Sequence, residues 1–264
     1  MSESHSELVR ETFSRQAKGY ASRSFAAANT DGIRWIVDNI VLESGDRVLD
    51  VAAGTGLVGR AIAPRVREVI GLDMTRAMIE QGRRQASDEG IRNVQFEEGL
   101  AEALPYPDGS FDLIVSRFSV HHFQEPSVQL AEMCRVCRPG GRIAIIDLTA
   151  PADPGLAATY NRWERLRDPS HTRALGPDEL RALVSGVGFR TAPPAVRDFA
   201  VTVDSWFDLA GASQDVRHEV IGALKAELRG GDATGMRPVL VDGRMFYPQA
   251  WAIVSGKKDS KAND

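Results

Sequence analysis

The stretch VLDVAAGTGLVGR, residues 48–60, holds the densest chemistry in the sequence. Gly54, Gly56 and Gly59 satisfy a G-x-G-x-x-G spacing between a short apolar strand pattern and an amphipathic stretch. Glycine at such a turn lets a ligand reach the backbone, and the helix start that follows offers free N–H groups. The spacing alone fits a dinucleotide phosphate or the amino-acid end of S-adenosylmethionine, and it is a weak signal. Asp50, inside the strand just before the loop, separates the two. A carboxylate this close repels a pyrophosphate and attracts an ammonium.

The next apolar run, VIGLDM, ends on Asp73, where a carboxylate can take two hydrogen bonds from a ribose. An N-cap for the segment starting at Thr75 is the alternative role for Asp73. Met74 follows as a soft apolar neighbour for an adenine ring. His121 and His122 follow the strand end SRFSV, and His171 lies in RDPSHTRA. Imidazole is the side chain best suited to proton transfer near neutral pH, so His122 and His171 are the candidate general bases. His5 and His218 sit in polar segments and read as solvent-facing. Asp147 ends RIAIID, where capping or pairing with an arginine competes with a site role. Cys134 and Cys137 form a C-x-x-C with no second pair for a structural zinc. The spacing in VQLAEMCRVCRPGG places both cysteines with Leu130 and Met133 on the apolar face of one helix, and no metal is expected.

These groups need elements to position them. From residue 46 onward the pattern alternates strand and helix: RVLDVA, EVIGLD, VQFEEG, FDLIVS and RIAIIDL, with amphipathic stretches beginning near Gly56, Thr75 and Glu125. That rhythm predicts βαβ units and a mostly parallel sheet with helices on both faces. Upstream, Val9, Phe13, Ala17 and Tyr20 form one helical stripe, and Ile33, Ile36, Val37 and Ile40 mark a second helix over about 30–42. Downstream, 155–167, the segment GPDELRALVSGVGF and 204–229 read as helices, while AVRDFAVTV and RMFYPQAWAIVSG read as strands. The fold expected is α/β: one Rossmann-like domain with a seven-stranded sheet, N-terminal helices, and a helical insertion before the last strand as a lid. Trp206, Phe207 and Leu209 give that insertion an apolar surface.

Composition narrows the function. The chain has 264 residues, 43% hydrophobic and 26% charged, with a net charge of −4. That balance lacks the basic footprint of a nucleic-acid binder. No run of 18 apolar residues spans a membrane, and the polar N-terminus MSESHSELVRETFSRQ lacks a signal-peptide core, so a cytoplasmic setting is expected. Composition fixes no oligomeric state.

In order, VLDVAAGTG, VIGLDM, EEGLAEALPYPDGSFDLIVS and LAEMCRVCRPGGRIAIID resemble the class I S-adenosylmethionine-dependent methyltransferases. More narrowly, the chain is similar to the small-molecule methyltransferases related to the ubiquinone/menaquinone C-methyltransferases. The resemblance implies a methyl group moved from S-adenosylmethionine to an O, N or C atom of a small metabolite, leaving S-adenosylhomocysteine. It implies that Asp50, Ala52, Gly54 and Gly56 cradle the methionine moiety, that Asp73 holds the ribose, and that Met74 flanks the adenine. Gly99, Leu100, Ala101 and Glu102 fall where the family lines the adenine edge. Ser116 lies near the methionine part, and Tyr20 is the residue of the N-terminal segment that reaches the cofactor. Arg117, His121 and Trp206 are expected on the acceptor side. Two positions depart from the pattern: Ala52 stands where glycine is frequent, and Leu100 where an aspartate often accepts from the adenine amino group.

The expected organisation is one domain over 1–257, with cap helices in 1–42, a cofactor core in 45–148, an acceptor-side region in 149–257 and a flexible tail in 258–264. A cyclisation or rearrangement on the same cofactor, or an NAD-dependent oxidoreductase, are the alternatives, since fold does not fix reaction. Asp50 and RPGG oppose the NAD reading.

Overall fold

A computed structural model describes residues 3–20 and 23–260; for 3, 4, 18 and 23–29 it gives the backbone alone. The parallel part of the sheet is built from β1 (Arg47–Val51), β2 (Glu68–Asp73), β3 (Val94–Glu98), β4 (Phe111–Arg117) and β5 (Cys137–Leu148), in the order β3-β2-β1-β4-β5. The long strand β9 (Arg244–Lys258) then runs antiparallel to β5, with Ile145 opposite Val254. Three further strands pair with β9: β6 (Phe189–Thr191), β7 (Ala195–Thr202) and β8 (Val239–Val241). The sheet therefore has nine strands among the described residues where seven were expected, the two additions being three-residue strands too short to show a period.

The central strands are apolar on both faces because both faces are covered. Val48, Val69, Leu113, Val115, Ala144 and Ile146 belong to one core cluster. It takes in side chains of α2 (Arg23–Asn39), α3 (Leu57–Ile62), α6 (Pro154–Arg167), α8 (Val203–Ala210) and α9 (Gln214–Glu227). Leu49, Val51, Ile70, Ile114, Ile143 and Ile145, the alternate residues, meet α5 (Pro126–Val136) and α7 (Pro177–Gly186). The remaining helices are α1 (Glu3–Tyr20) and α4 (Arg76–Asp88), which contact each other.

Three expectations need correction. Helix α5 stops at Val136, so Cys137 opens β5 instead of sharing a helix face with Cys134; both thiols are buried and free. Trp206 and Phe207 are sealed in the core, with Trp206 Nε1 donating to both oxygens of Glu164 at 3.3 Å, so they present no open lid surface. Lys258 is the last residue of β9, and its Nζ donates to the carbonyls of Cys134 (2.6 Å) and Cys137 (2.8 Å), which anchors the start of the expected tail. Residues 261–264 of that tail lie outside the described residues.

Strand order reverses at β1, with β2 on one side and β4 on the other. Open α/β sheets form their ligand crevice at the carboxyl ends of strands flanking such a switch point. Asp50, Asp73 and Ser116 all lie at those ends.

Candidate active site

A cavity of about 880 Å3, counting space open to solvent, lies over this switch point. Its floor is the loop after β1, where Ala52, Gly54 and Gly56 all have left-handed backbones with φ of 53°, 57° and 69°. No atom lies within 4 Å of where a Cβ on Gly54 would stand, so the cradle has room for a ligand against bare backbone. Asp73 closes one side. Its Oδ2 accepts from Gly54 N (2.7 Å) and its Oδ1 from Thr75 N (2.8 Å), so the carboxylate bridges the two loops edge-on. Each oxygen keeps a lone pair for a further donor. Asp73 therefore lines the cavity and ties down the turn before α4, whose N-cap is Thr75 rather than Asp73. Burial raises its carboxyl above the usual range, opposed by those same N–H donors.

Asp50 is placed differently from its expected role. It does not line the cavity; it is buried under the loop, and its Oδ2 accepts from Gly59 N at 3.0 Å. Burial pushes its carboxyl up to about 7, and the nearby Asp73 charge adds to that. Ser116 is likewise one layer down. Its Oγ donates to Val51 O (2.6 Å), stitching β4 to β1, and meets Ser119 Oγ at 2.6 Å. Ser119, which was not singled out in the sequence, lines the cavity where Ser116 does not. Gly99, Ala101, Glu102, Met74 and Ala52 line it as expected, whereas Leu100 is 37% exposed outside it. Gly56 is not a lining residue either: a Cβ there would stand 2.6 Å from the Phe96 ring.

Helix α1 forms the roof through Val9, Phe13 and Tyr20. The stripe seen in the sequence is this roof, with Val9 and Ala17 buried. Burial pushes the Tyr20 phenol up to about 12, so it is neutral near pH 7. His5, expected in solvent, is half-buried and donates from Nε2 to His122 O at 2.8 Å, tying α1 to the turn at the far end of the cavity.

That far end holds Arg117, Phe118, Ser119, His122 and Phe123. Arg117 stacks over Phe118, 4.0 Å from the ring centroid, and 5.1 Å from that of Trp251. Burial lowers its guanidinium to about 10, still charged at neutral pH. His122 donates from Nδ1 to Ser170 O (2.9 Å), which makes Nε2 the lone-pair nitrogen. Its ring meets Phe13 edge-on at 5.0 Å. Burial, and then His121, lower it to about 4, so it is neutral at pH 7.

The other candidates stand behind it. His121 pairs with Asp147, Nδ1 to Oδ1 at 2.5 Å, and neither lines the cavity. His171 is 2% exposed, and its Nε2 donates to Asn161 Oδ1 at 2.8 Å. Burial drives it well below the ordinary histidine range, which leaves a neutral packing residue away from the cavity lining. Trp206 is also absent from the lining. Among the described residues no group of three His, Cys, Asp or Glu could hold a metal ion, and no helix is long and apolar enough to cross a membrane.

Residues 48–141 match the family described as a methyltransferase domain. An uncharacterized methyltransferase of Bacillus subtilis, YcgJ, is 34% identical over 80% of this chain and 83% of its own length. The chain belongs to the S-adenosylmethionine-dependent methyltransferase family. The crystal structure of YcgJ superposes with a TM-score of 0.77 at 31% identity, covering 86% of this chain and 98% of that one. The ubiquinone/menaquinone biosynthesis C-methyltransferase UbiE of Coxiella burnetii is 36% identical over 58% of this chain and 66% of its length. The shared architecture is the Rossmann-like methyltransferase fold.

Proposed function

We propose that the protein transfers a methyl group from S-adenosylmethionine to an O, N or C atom of a small-molecule acceptor. The supporting observation is a single cavity that joins the Gly54 cradle and Asp73 at one end to Arg117, Ser119 and His122 at the other. The donor set fits the adenosyl group: bare backbone at Gly54, a carboxylate at Asp73 with spare lone pairs for two hydroxyls, and Met74 and Met78 as soft apolar contacts. Gly99, Ala101 and Glu102 serve the adenine edge, and Leu100 takes no part.

When bound, the sulfonium supplies an already activated methyl group, so alignment and dryness are the protein's main tasks. Alignment of two bound reactants contributes on the order of 7–11 kcal/mol. Val9, Phe13 and Tyr20 exclude water from above, Phe118 and Phe123 shape the acceptor end, and Arg117 supplies its one positive charge. His122, through Nε2, takes the acceptor's proton when the acceptor must lose one. The chain works as one domain over 1–257, capped by α1; the core spans 45–148, and 149–257 completes the acceptor side. The UbiE likeness, together with a buried cation and a neutral base at one end of the cavity, favours carbon of an electron-rich acceptor within the O, N and C range.

The test is incubation with S-adenosylmethionine carrying a deuterated methyl group and a fractionated metabolite pool, read by mass spectrometry. A labelled product absent from an Asp73→Ala control is the expected outcome. Tight cofactor binding and turnover of a pool component with no label in any product would replace methyl transfer with a cyclisation or rearrangement on the same fold.

A further inference from the structure

We infer that Asp168 is a positioning residue for His122, acting through the backbone of Ser170. The inference rests on the methyl-transfer reading, in which His122 Nε2 is the proton acceptor. Asp168 caps the C-terminus of α6, its N–H donating to Glu164 O at 2.8 Å. From there its Oδ1 accepts from both Ser170 N (3.0 Å) and Ser170 Oγ (2.6 Å), while its own carbonyl accepts from His171 N (2.9 Å). These bonds wind residues 168–171 into a tight turn with one consequence for the site. The Ser170 carbonyl is aimed at His122 Nδ1, and a carbonyl only accepts. The proton is thus fixed on Nδ1 and the lone pair on Nε2, in a ring that lines the cavity.

The other partners of His122 hold its backbone and leave that choice of tautomer to the turn. His5 on α1 and Thr172 Oγ1 both donate to His122 O, at 2.8 and 3.2 Å. Ser170 Oγ lies 3.2 Å from Nδ1, but it is already committed as a donor to Asp168. The titratable groups around the ring are His121 and Asp147 on the β5 side, His171 and Asp168 on the loop after α6, and Tyr20 and Arg117 across the cavity. Asp168 is 4% exposed; against that burial, its two bonds to Ser170 and the adjacent Arg167 hold its carboxyl below the usual range. It therefore also supplies the negative charge that a protonated His122 needs. When bound, S-adenosylmethionine would supply the methyl group and leave as S-adenosylhomocysteine, while His122 Nε2 takes the acceptor's X–H proton. The proton then leaves His122 to solvent, and the ring returns to the Nδ1–H tautomer.

A helix cap with no bearing on His122 would alter stability and leave the imidazole unchanged, so the test reads the imidazole. Full-length protein with 15N-labelled histidine is examined by long-range proton–nitrogen NMR at pH 7, with and without S-adenosylhomocysteine; His122→Gln assigns the resonances. The wild type is expected to show only the Nδ1–H form of His122. Asp168→Ala is expected to lose that single tautomer. Asp168→Asn, whose carboxamide oxygen accepts the same two bonds, is expected to keep it while moving the His122 titration midpoint below the wild-type value. Ser170→Ala keeps the carbonyl and is expected to keep the tautomer. A single Nδ1–H form in Asp168→Ala, or an Nε2–H form in the wild type, overturns the inference. Should Asp168→Ala not fold, Asp168→Asn decides, and an unmoved midpoint there overturns it. Calorimetry on the same samples separates the two claims. Wild-type protein that does not bind S-adenosylhomocysteine defeats the methyltransferase assignment of the cavity, whereas variants binding within about twofold of wild type show that only His122 has been disturbed.

Discussion

At the residue scale, the loop after β1 carries a strain that the sequence hinted at. Ala52 sits at φ 53°, where an L-residue with a Cβ is disfavoured by roughly 1 kcal/mol or more relative to glycine. The departure from the family's frequent glycine at this position is thus energetic as well as spatial. Ala52→Gly should stabilise the folded chain by about 0.5–1 kcal/mol, read as a rise in denaturant midpoint at constant slope; an unchanged or lower midpoint would mean that the loop relaxes in solution. Asp50 makes a second prediction, and its sign follows from its raised carboxyl. A group held near 7 when folded, against an ordinary 3.8, keeps a proton that the unfolded chain has released. Its contribution is present in full below about pH 4 and is lost as pH climbs through about 7. His122 has the opposite sign: lowered to about 4, it favours the fold above its ordinary 6.5, and that contribution fades as pH falls toward 4. Asp50→Asn should therefore raise Tm at pH 8 relative to wild type, by on the order of 1 kcal/mol or more of stability, and steepen the acid-side loss. Equal Tm values at pH 8 would mean that burial does not raise the Asp50 carboxyl.

At the element scale, what was legible and what was not divides along physical lines. The alternation of β1 to β5 with α3, α4 and α5 was readable because apolar runs of five to seven residues are bounded by glycine, proline and polar turns. Helix starts near Thr75 and Glu125 were readable for the same reason, and those residues are the N-caps of α4 and α5. The end of α5 was not, since Cys137 passes directly from helix to strand with no breaker between. Strands β6 and β8 are fixed only by pairing with β9, which local sequence does not encode. The close approach of α4 to the loop also lay hidden. Gly82 lies inside α4, where alanine normally helps by about 1 kcal/mol. A Cβ there would instead stand 2.5 Å from the buried Phe96 ring and 3.0 Å from Thr55 O. Gly82→Ala is expected to destabilise by about 1–3 kcal/mol, the range for overpacking a filled interior, as measured by chemical denaturation. A stabilised variant would show that Phe96 has room to move.

At the scale of the whole molecule, the residues singled out in the sequence gather at one end of the sheet, and only part of them line the cavity there. Motif spacing put Asp50, Asp73 and Ser116 at one end of the sheet, because strand ends are where a switch point gathers residues. Which side chain points up was decided by the pleat and by loop strain: Asp73 faces the cavity, while Asp50 and Ser116 face the backbone below it. Phe118 and Ser119 stand two and three residues beyond Ser116 in SRFSV, and both line the cavity past a left-handed backbone at Phe118, φ 56°. His171 and Trp206 were misjudged because a buried polar group and a pocket group have the same local sequence pattern. The roof came from α1 rather than from α8 and α9, which belong to the core on one sheet face.

The central claim is that this cavity is the S-adenosylmethionine site, with Asp73 as its anchor. Isothermal titration of S-adenosylmethionine into wild type and Asp73→Ala tests it most directly, since losing a buried hydrogen-bonded carboxylate costs roughly 1.5–3 kcal/mol of binding. The account predicts binding by the wild type and affinity at least about tenfold weaker in Asp73→Ala, with the fold retained. No binding by the wild type, or equal affinity in the two proteins, would contradict it.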